Sequence, residues 1–290
     1  QSMEYVLVPF LLRVLQLADQ LSVSAVARGA ERPGVRGSYY EKRIGARDHI
    51  AAAVCAIVTA SYLVLGKEHG MIELIHASFQ YENSDRGVQD ISLSVKSGEC
   101  VVLTGLSGCG KTTVTRLVNG LAPSYYPGVF SGSVRIDGKD ISRLSTWEIG
   151  RLVGSVFQDP KSQFFSSELA GEVAFPCENY GLSAREIRER TDAAIEALHL
   201  SHLKDRAVDV LSSGEKQRAA IASVYAMKPK VFVCDEPTAN LDAAGTKQLA
   251  QTLRQLKEQG FTLLLAEHRI DWLMGIADRF LYLRDGRIAA

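Results

Sequence analysis

The sequence predicts an α/β fold over roughly its last three quarters, preceded by a membrane-type α-helical segment, and three observations carry that expectation. From Met71 onward, short β-branched or aliphatic runs alternate with polar stretches of helical period. A glycine-rich segment, GLSGCGKTT at 105–113, lies between one such run and a helical pattern. Two adjacent acids, Asp235 and Glu236, end another apolar run. The boundary is placed at residue 70, giving a helical segment over 1–70 and an α/β domain over 71–290.

IELIHAS, ECVVLTG, GSVRIDG, LVGSVFQ, KVFVCDE, FTLLLAE and RFLYLRDG read as strands. Helices are expected over 111–119, 184–198, 214–228 and 242–259; the last has an acidic first turn and stops at Gly260. The 49–66 segment, HIAAAVCAIVTASYLVLG, holds no Lys, Arg, Asp or Glu and as a helix would reach roughly 27 Å, close to a bilayer's apolar thickness. Its alanines favour insertion weakly, and a buried helix of a soluble domain is the alternative. Arg28, Arg32, Arg36, Lys42, Arg43 and Arg47 face only Glu31 and Glu41 in the preceding stretch, the bias of a cytoplasmic loop. A second apolar stretch, 5–17, reads as the end of another helix, and no cleavage context suggests a signal peptide.

The 290 residues carry 33 Lys+Arg and 33 Asp+Glu, so no cationic field is available to hold a polyanion, and nucleic acid is not an expected partner. Cysteines at 55, 100, 109, 177 and 234 form no CxxC and are expected to be reduced. The six histidines are scattered, and only His268 acquires a role below.

GLSGCGKTT fits G-x-x-x-x-G-K-[ST] between a strand and a helix, the setting of a phosphate-binding loop. Gly105, Gly108 and Gly110 let the chain turn its N–H groups inward. With Ser107, Cys109 and Thr113 they form the expected cradle, Lys111 supplies a point charge for β- and γ-phosphates, and Thr112 is a ligand for Mg²⁺. Asp235, at a strand terminus, is the second metal contact. Glu236, one residue on and pointing the other way, is the base expected to take a proton from an attacking water.

LSSGEKQR at 211–218 could be no more than a capped helix start, since Ser212 and Glu215 make an S-x-x-E box. In combination with VFVCDEP, ANLD at 239–242, AEH at 266–268 and FQDP at 157–160, however, the chain resembles the ATP-binding-cassette (ABC) ATPases over 72–289. The resemblance implies ATP and Mg²⁺ as ligands and a head-to-tail pair of domains, each ATP held by one domain's phosphate loop and the other's LSSGE helix. It implies that Tyr81 stacks on adenine, that Gln158 senses metal and water, and that Ser212 and Gly214 reach the opposite ATP. His268 would contact the γ-phosphate, and Asp242 would close the loop between the paired sites. Gln158, Lys111, Glu236 and His268 are the catalytic candidates; Thr112, Gln158 and Asp235 are the metal candidates. Where the family usually has Gly-Gly-Gln, this chain has Ser213, Gly214 and Glu215. A side chain at 213 narrows backbone freedom and an anion at 215 adds repulsion, so an impaired or specialised composite site and a non-identical partner domain are expected.

Two further stretches, FQDPKSQFFSSELAGEVAFPCENYGL and FQYENSDRGVQDISLSV, are similar to the ATPases of energy-coupling factor (ECF) transporters for vitamins and metal ions. Residues 1–70 resemble the end of the transmembrane coupling subunit of those transporters, with Ala27, Arg28 and Gly29 at its coupling motif. The implied partners are that coupling subunit and a substrate-capturing membrane subunit, at the cytoplasmic face of the cell membrane. The alternatives are an ATPase of another ABC transporter class and a soluble ABC ATPase acting on ribosomes or DNA, which the neutral charge disfavours. A helix at 49–66 that fully crossed would carry the ATPase domain outside, away from ATP. The expectation is therefore a fragment or fusion in which the ATPase proper begins near Met71.

Overall fold

The computed structural model describes residues 70–82, 84 and 86–289. The chain divides into two units, Gln1–Gly66 and Lys67–Ala290, and the description is of the second. The apolar stretches 5–17 and 49–66, the basic stretch 28–47 and the Ala27, Arg28, Gly29 motif lie outside the described residues. Among the described residues no helix is long and apolar enough to cross a membrane.

In chain order the elements are β1 (Ile72–Tyr81), β2 (Gly87–Val95), β3 (Cys100–Thr104), α1 (Lys111–Val118), β4 (Gly128–Ile136), β5 (Lys139–Asp140), α2 (Thr146–Leu152), β6 (Val153–Val156), α3 (Leu169–Asn179), α4 (Ala184–Ala197), α5 (Ser213–Ala226), β7 (Val231–Asp235), α6 (Ala243–Glu258), β8 (Thr262–Ala266), β9 (Arg279–Arg284) and β10 (Arg287–Ile288). One sheet has the order β10-β9-β3-β8-β7-β6, parallel except for β10; the other, β2-β1-β4-β5, is antiparallel. The central parallel strands are continuous apolar runs because both faces are covered. Cys100, Val102, Phe232, Cys234, Leu263 and Leu265 pack toward the helices α3–α6, whereas Val101, Leu103, Val231, Val233 and Leu264 pack toward α1 and the antiparallel sheet.

All seven predicted strands and all four predicted helices form. Strand β2 was not among them because its alternation is broken. Asp90 has φ 53°, and the register steps from Phe79↔Val88 to Ala77↔Ile91, so the inward positions Val88 and Ile91 are three apart. Helix α3 also escaped prediction, since it contains Gly171 and Pro176. Pro176 has no N–H for the Glu172 carbonyl one turn back, and the buried Ser223 hydroxyl of α5 donates to that oxygen at 3.2 Å instead. Leu169, Val173 and Cys177, spaced by four, then bury against α5. Asp242 does not sit in the first turn of α6 but caps it, its Oδ1 accepting from Gly245 N at 2.7 Å.

Candidate functional site

The loop between β3 and α1 turns on glycines at φ 145° (Gly105), 79° (Gly108) and 110° (Gly110). Such values are open to glycine and strained for any residue with a Cβ. Space is as restrictive as torsion at one of them: a Cβ on Gly105 would stand 2.2 Å from the Leu283 carbonyl oxygen of β9. Cys109 is buried between the loop and the β9–β10 turn, where its carbonyl accepts from Gly286 N at 3.1 Å. The loop thus leads straight into the N-terminus of α1, whose orphan N–H groups and dipole favour an anion.

Lys111 opens α1 and is only 3% exposed; its Nζ donates to the carbonyls of Gly105 (3.0 Å) and Leu106 (3.2 Å) and lies 3.7 Å from Glu236 Oε1. The next residue, Thr112, donates from Oγ1 to Asp235 Oδ1 at 3.0 Å, so the end of β7 meets the start of α1. Burial pushes the Asp235 carboxyl above its usual range, the Thr112 hydrogen bond opposes that rise, and neighbouring Glu236 adds to it.

Glu236 takes a left-handed conformation, φ 43°, fixed by its N–H donating to Ala266 O at 2.8 Å. That twist separates the two acids. Asp235 faces Thr112, whereas Glu236 accepts from Gln158 Nε2 at 3.3 Å and approaches His268 Nδ1 at 4.0 Å. Gln158 itself is exposed after β6, with Asn240 Nδ2 donating to its carbonyl at 3.4 Å.

A cleft of about 480 Å³ gathers Tyr81, Ser107, Gly108, Gly110, Lys111, Thr112, Thr113, Gln158 and Glu236. A second depression, of about 580 Å³, continues past Glu236 along Gly105 and Ser107 to His268. Tyr81, at the end of β1, has its hydroxyl 3.3 Å from Thr113 Oγ1 and accepts from Arg116 Nη1 at 2.9 Å. The Arg116 guanidinium lies 3.8 Å from the centre of the Tyr126 ring.

Five predicted site residues line neither depression: Cys109 and Asp235, which adjoin the loop and Thr112, and Ser212, Gly214 and Asp242, which lie apart. Ser212 caps α5, accepting from Glu215 N at 3.3 Å, Gly214 sits in its first turn, and Asp242 caps α6. Ser213 is the first residue of α5, in helical conformation. A Cβ on Gly214 would meet Gly245 Cα at 3.5 Å, an ordinary contact.

Sequence reasoning passed over Arg116, Tyr126 and the support beneath His268. Glu267 is fully buried and accepts from Thr238 Oγ1 (2.5 Å), His268 N (2.9 Å) and Arg269 N (3.2 Å). Arg269 in turn donates to Thr238 O at 2.6 Å, locking the turn that presents His268. A carboxylate directly after the apolar run TLLLA was the available signal for Glu267. Arg116 and Tyr126 carried none, because their pairing with Tyr81 is made across elements.

The donor set fits Mg²⁺ held together with phosphate oxygens and water. Thr112 and Asp235 supply two hard oxygens side by side and Gln158 a third beyond Glu236, while no group of three His, Cys, Asp or Glu side chains able to hold a metal occurs among the described residues. A model of the ABC transporter family matches residues 88–239. Two proteins of Treponema denticola named as ABC transporter ATP-binding proteins are 43% and 44% identical over 220 and 219 residues; the chain spans 45% of each, less than half their length. A Pyrococcus abyssi protein of the same name is 41% identical over 220 residues, 75% of this chain and 79% of the relative. Among solved structures, CbiO1 from Clostridium perfringens, part of the ABC transporter complex CbiONQ, superposes with TM-score 0.70 at 33% identity over 77% of this chain and 88% of that one. A dimeric ATP-binding cassette in a post-hydrolysis state with ADP and Pi superposes with TM-score 0.65 at 26% identity, over 76% of this chain and 97% of that one.

Proposed function

This chain belongs to the ABC transporter family, and on that premise we propose that residues 71–290 are the ATP-hydrolysing domain of an energy-coupling-factor-type importer for a vitamin or metal ion, held at the cytoplasmic face of a cell membrane. The observation that carries the finer reading is the likeness, at 33% identity, to a subunit of the CbiONQ complex. The ATPase domains of the family use ATP with Mg²⁺.

In this reading each side chain has a task. The loop amides from Gly105 to Thr113 and the Lys111 ammonium bind the β- and γ-phosphates. Thr112, Asp235 and Gln158 would hold Mg²⁺, whose charge offsets that of the phosphate oxygens during transfer. Glu236 accepts a proton from the water as its oxygen bonds the γ-phosphorus. The bond from that phosphorus to the β–γ bridging oxygen breaks, and ADP departs with the electron pair. Gln158 and His268 bracket Glu236 and orient it and the γ-phosphate; Tyr81 stacks on the base. Glu236 is partly exposed and lines the cleft, so water can reach it.

In this reading the site is completed by a second, non-identical ABC ATPase domain, each domain presenting Ser212 and Gly214, or their counterparts, to the other's ATP, with Asp242 at the seam. The remaining partners are a transmembrane coupling subunit and a substrate-capturing membrane subunit. Residues 1–70, with Ala27, Arg28 and Gly29, are proposed as coupling-subunit sequence on their resemblance alone. Detergent co-purification with mass identification of bound subunits tests the proposal. Recovery of a capture subunit and a coupling subunit is expected; recovery of the membrane domains of another ABC class would overturn the ECF assignment.

A further inference from the structure

We infer that Glu215 sets how tightly the α5 terminus engages nucleotide, acting as an anionic latch on the Ser212 hydroxyl. The inference deepens the proposed function and rests on its placing Ser212 against the partner domain's ATP.

The Glu215 carboxylate lies in the first turn of α5, where it accepts two hydrogen bonds on one oxygen, from Ser212 N at 2.7 Å and from Ser212 Oγ at 2.7 Å. Ser212 Oγ accepts in return from Glu215 N at 3.3 Å. The hydroxyl proton of Ser212 is therefore already committed inside its own helix, to a charged acceptor. A phosphate oxygen seeking that proton must displace Glu215, and it must do so beside a full negative charge.

The same carboxylate also occupies the electrostatic role an incoming anion would fill. A helix N-terminus attracts negative charge through its orphan N–H groups and its dipole, and the effect is confined to the first turn. Glu215 sits within that turn. Its hydrogen bonds with Ser212 hold its carboxyl below the usual glutamate range, with Arg218 and His202 adding to the lowering, so the charge persists at neutral pH. Capture of the second nucleotide is consequently weaker than for a neutral side chain of the same shape.

Glutamine is that side chain, and it preserves the capping geometry, since Glu and Gln serve equally at the third position of the box. Glu215→Gln thus removes the charge and keeps the cap, whereas Glu215→Ala removes both. The test uses the full chain with its co-purified subunits, measuring the MgATP concentration for half-maximal hydrolysis at low and high ionic strength, alongside melting temperature. Glu215→Gln is expected to lower that concentration about two- to fivefold at low salt, the range of a single charge at a helix terminus. The difference from the unaltered chain is expected to narrow at high salt, and the melting temperature to fall less than in Glu215→Ala, since only the charge is lost. Glu215→Ala is expected to lower the melting temperature, a change that capping alone explains.

Ser212→Ala separates the two levels of the argument. If Ser212→Ala raises the required MgATP while Glu215→Gln changes nothing, the latch is wrong and the placement of Ser212 stands. If Ser212→Ala also changes nothing, the placement fails and takes the latch with it.

Discussion

Substituting alanine at Gly105 and at Gly108 separates two reasons for glycine that a motif alone cannot distinguish. At Gly108, φ is 79° but a Cβ would meet nothing within 4 Å, so only torsional strain is introduced, about 1–2 kcal/mol. At Gly105, φ is 145° and the Cβ would lie 2.2 Å from Leu283 O and 2.8 Å from Cys109 Sγ. The loop cannot retreat from that carbonyl, because Thr104 and Tyr282 are paired in the sheet immediately beside it. Strain of about 1–3 kcal/mol and overpacking of about 1–3 kcal/mol then act together. With a domain of this size losing about 2–4 °C per kcal/mol, Gly108→Ala is expected to melt about 2–8 °C lower and Gly105→Ala about 4–24 °C lower. Scanning calorimetry of the full chain reads both, and binding of a fluorescent ATP analogue reports the cradle. A Gly105→Ala chain that melts no lower than Gly108→Ala, and binds nucleotide as well as the unaltered protein, would refute the packing argument.

Glu236→Gln is expected to leave MgATP binding in place while slowing hydrolysis about 10²–10⁴-fold, because the proton acceptor is lost and Lys111 keeps its loop contacts; single-turnover assays with radiolabelled ATP measure it. Asp235→Asn is expected to raise the melting temperature and to abolish Mg²⁺-dependent turnover. The folded carboxyl is raised by burial, so its ionisation opposes folding: the unaltered chain gains stability as pH falls toward the carboxylate range, and the Asn variant, lacking the group, shows a flatter melting curve against pH. Burial also pushes the Cys100 thiol up to about 12, and alkylation of the native protein at pH 8, read by peptide mass spectrometry, is expected to spare Cys100 while modifying it in denaturant. Thr238→Val is expected to cost about 1–3 kcal/mol by leaving the buried Glu267 carboxylate one donor short, read as a lower melting temperature.

The sequence by itself determined the parts of this protein that rest on local rules. Strands buried on both faces show as unbroken apolar runs, a phosphate loop needs glycines at fixed spacing before a lysine, and Ser212 with Glu215 announces a capped helix. Tertiary structure decided what depends on elements meeting. The bulge at Asp90 hid β2 by breaking its period, and α3 tolerates Pro176 only because Ser223, forty-seven positions on, satisfies the freed carbonyl. Two neighbouring acids that look equivalent in the chain acquire different work from the left-handed twist at Glu236, which turns one toward Thr112 and the other toward Gln158 and His268. The Thr238 bond that braces Glu267 and the Arg116–Tyr126 contact could not be read beforehand either, since a hydrogen bond or ring contact between distant segments leaves no periodicity in the chain that makes it.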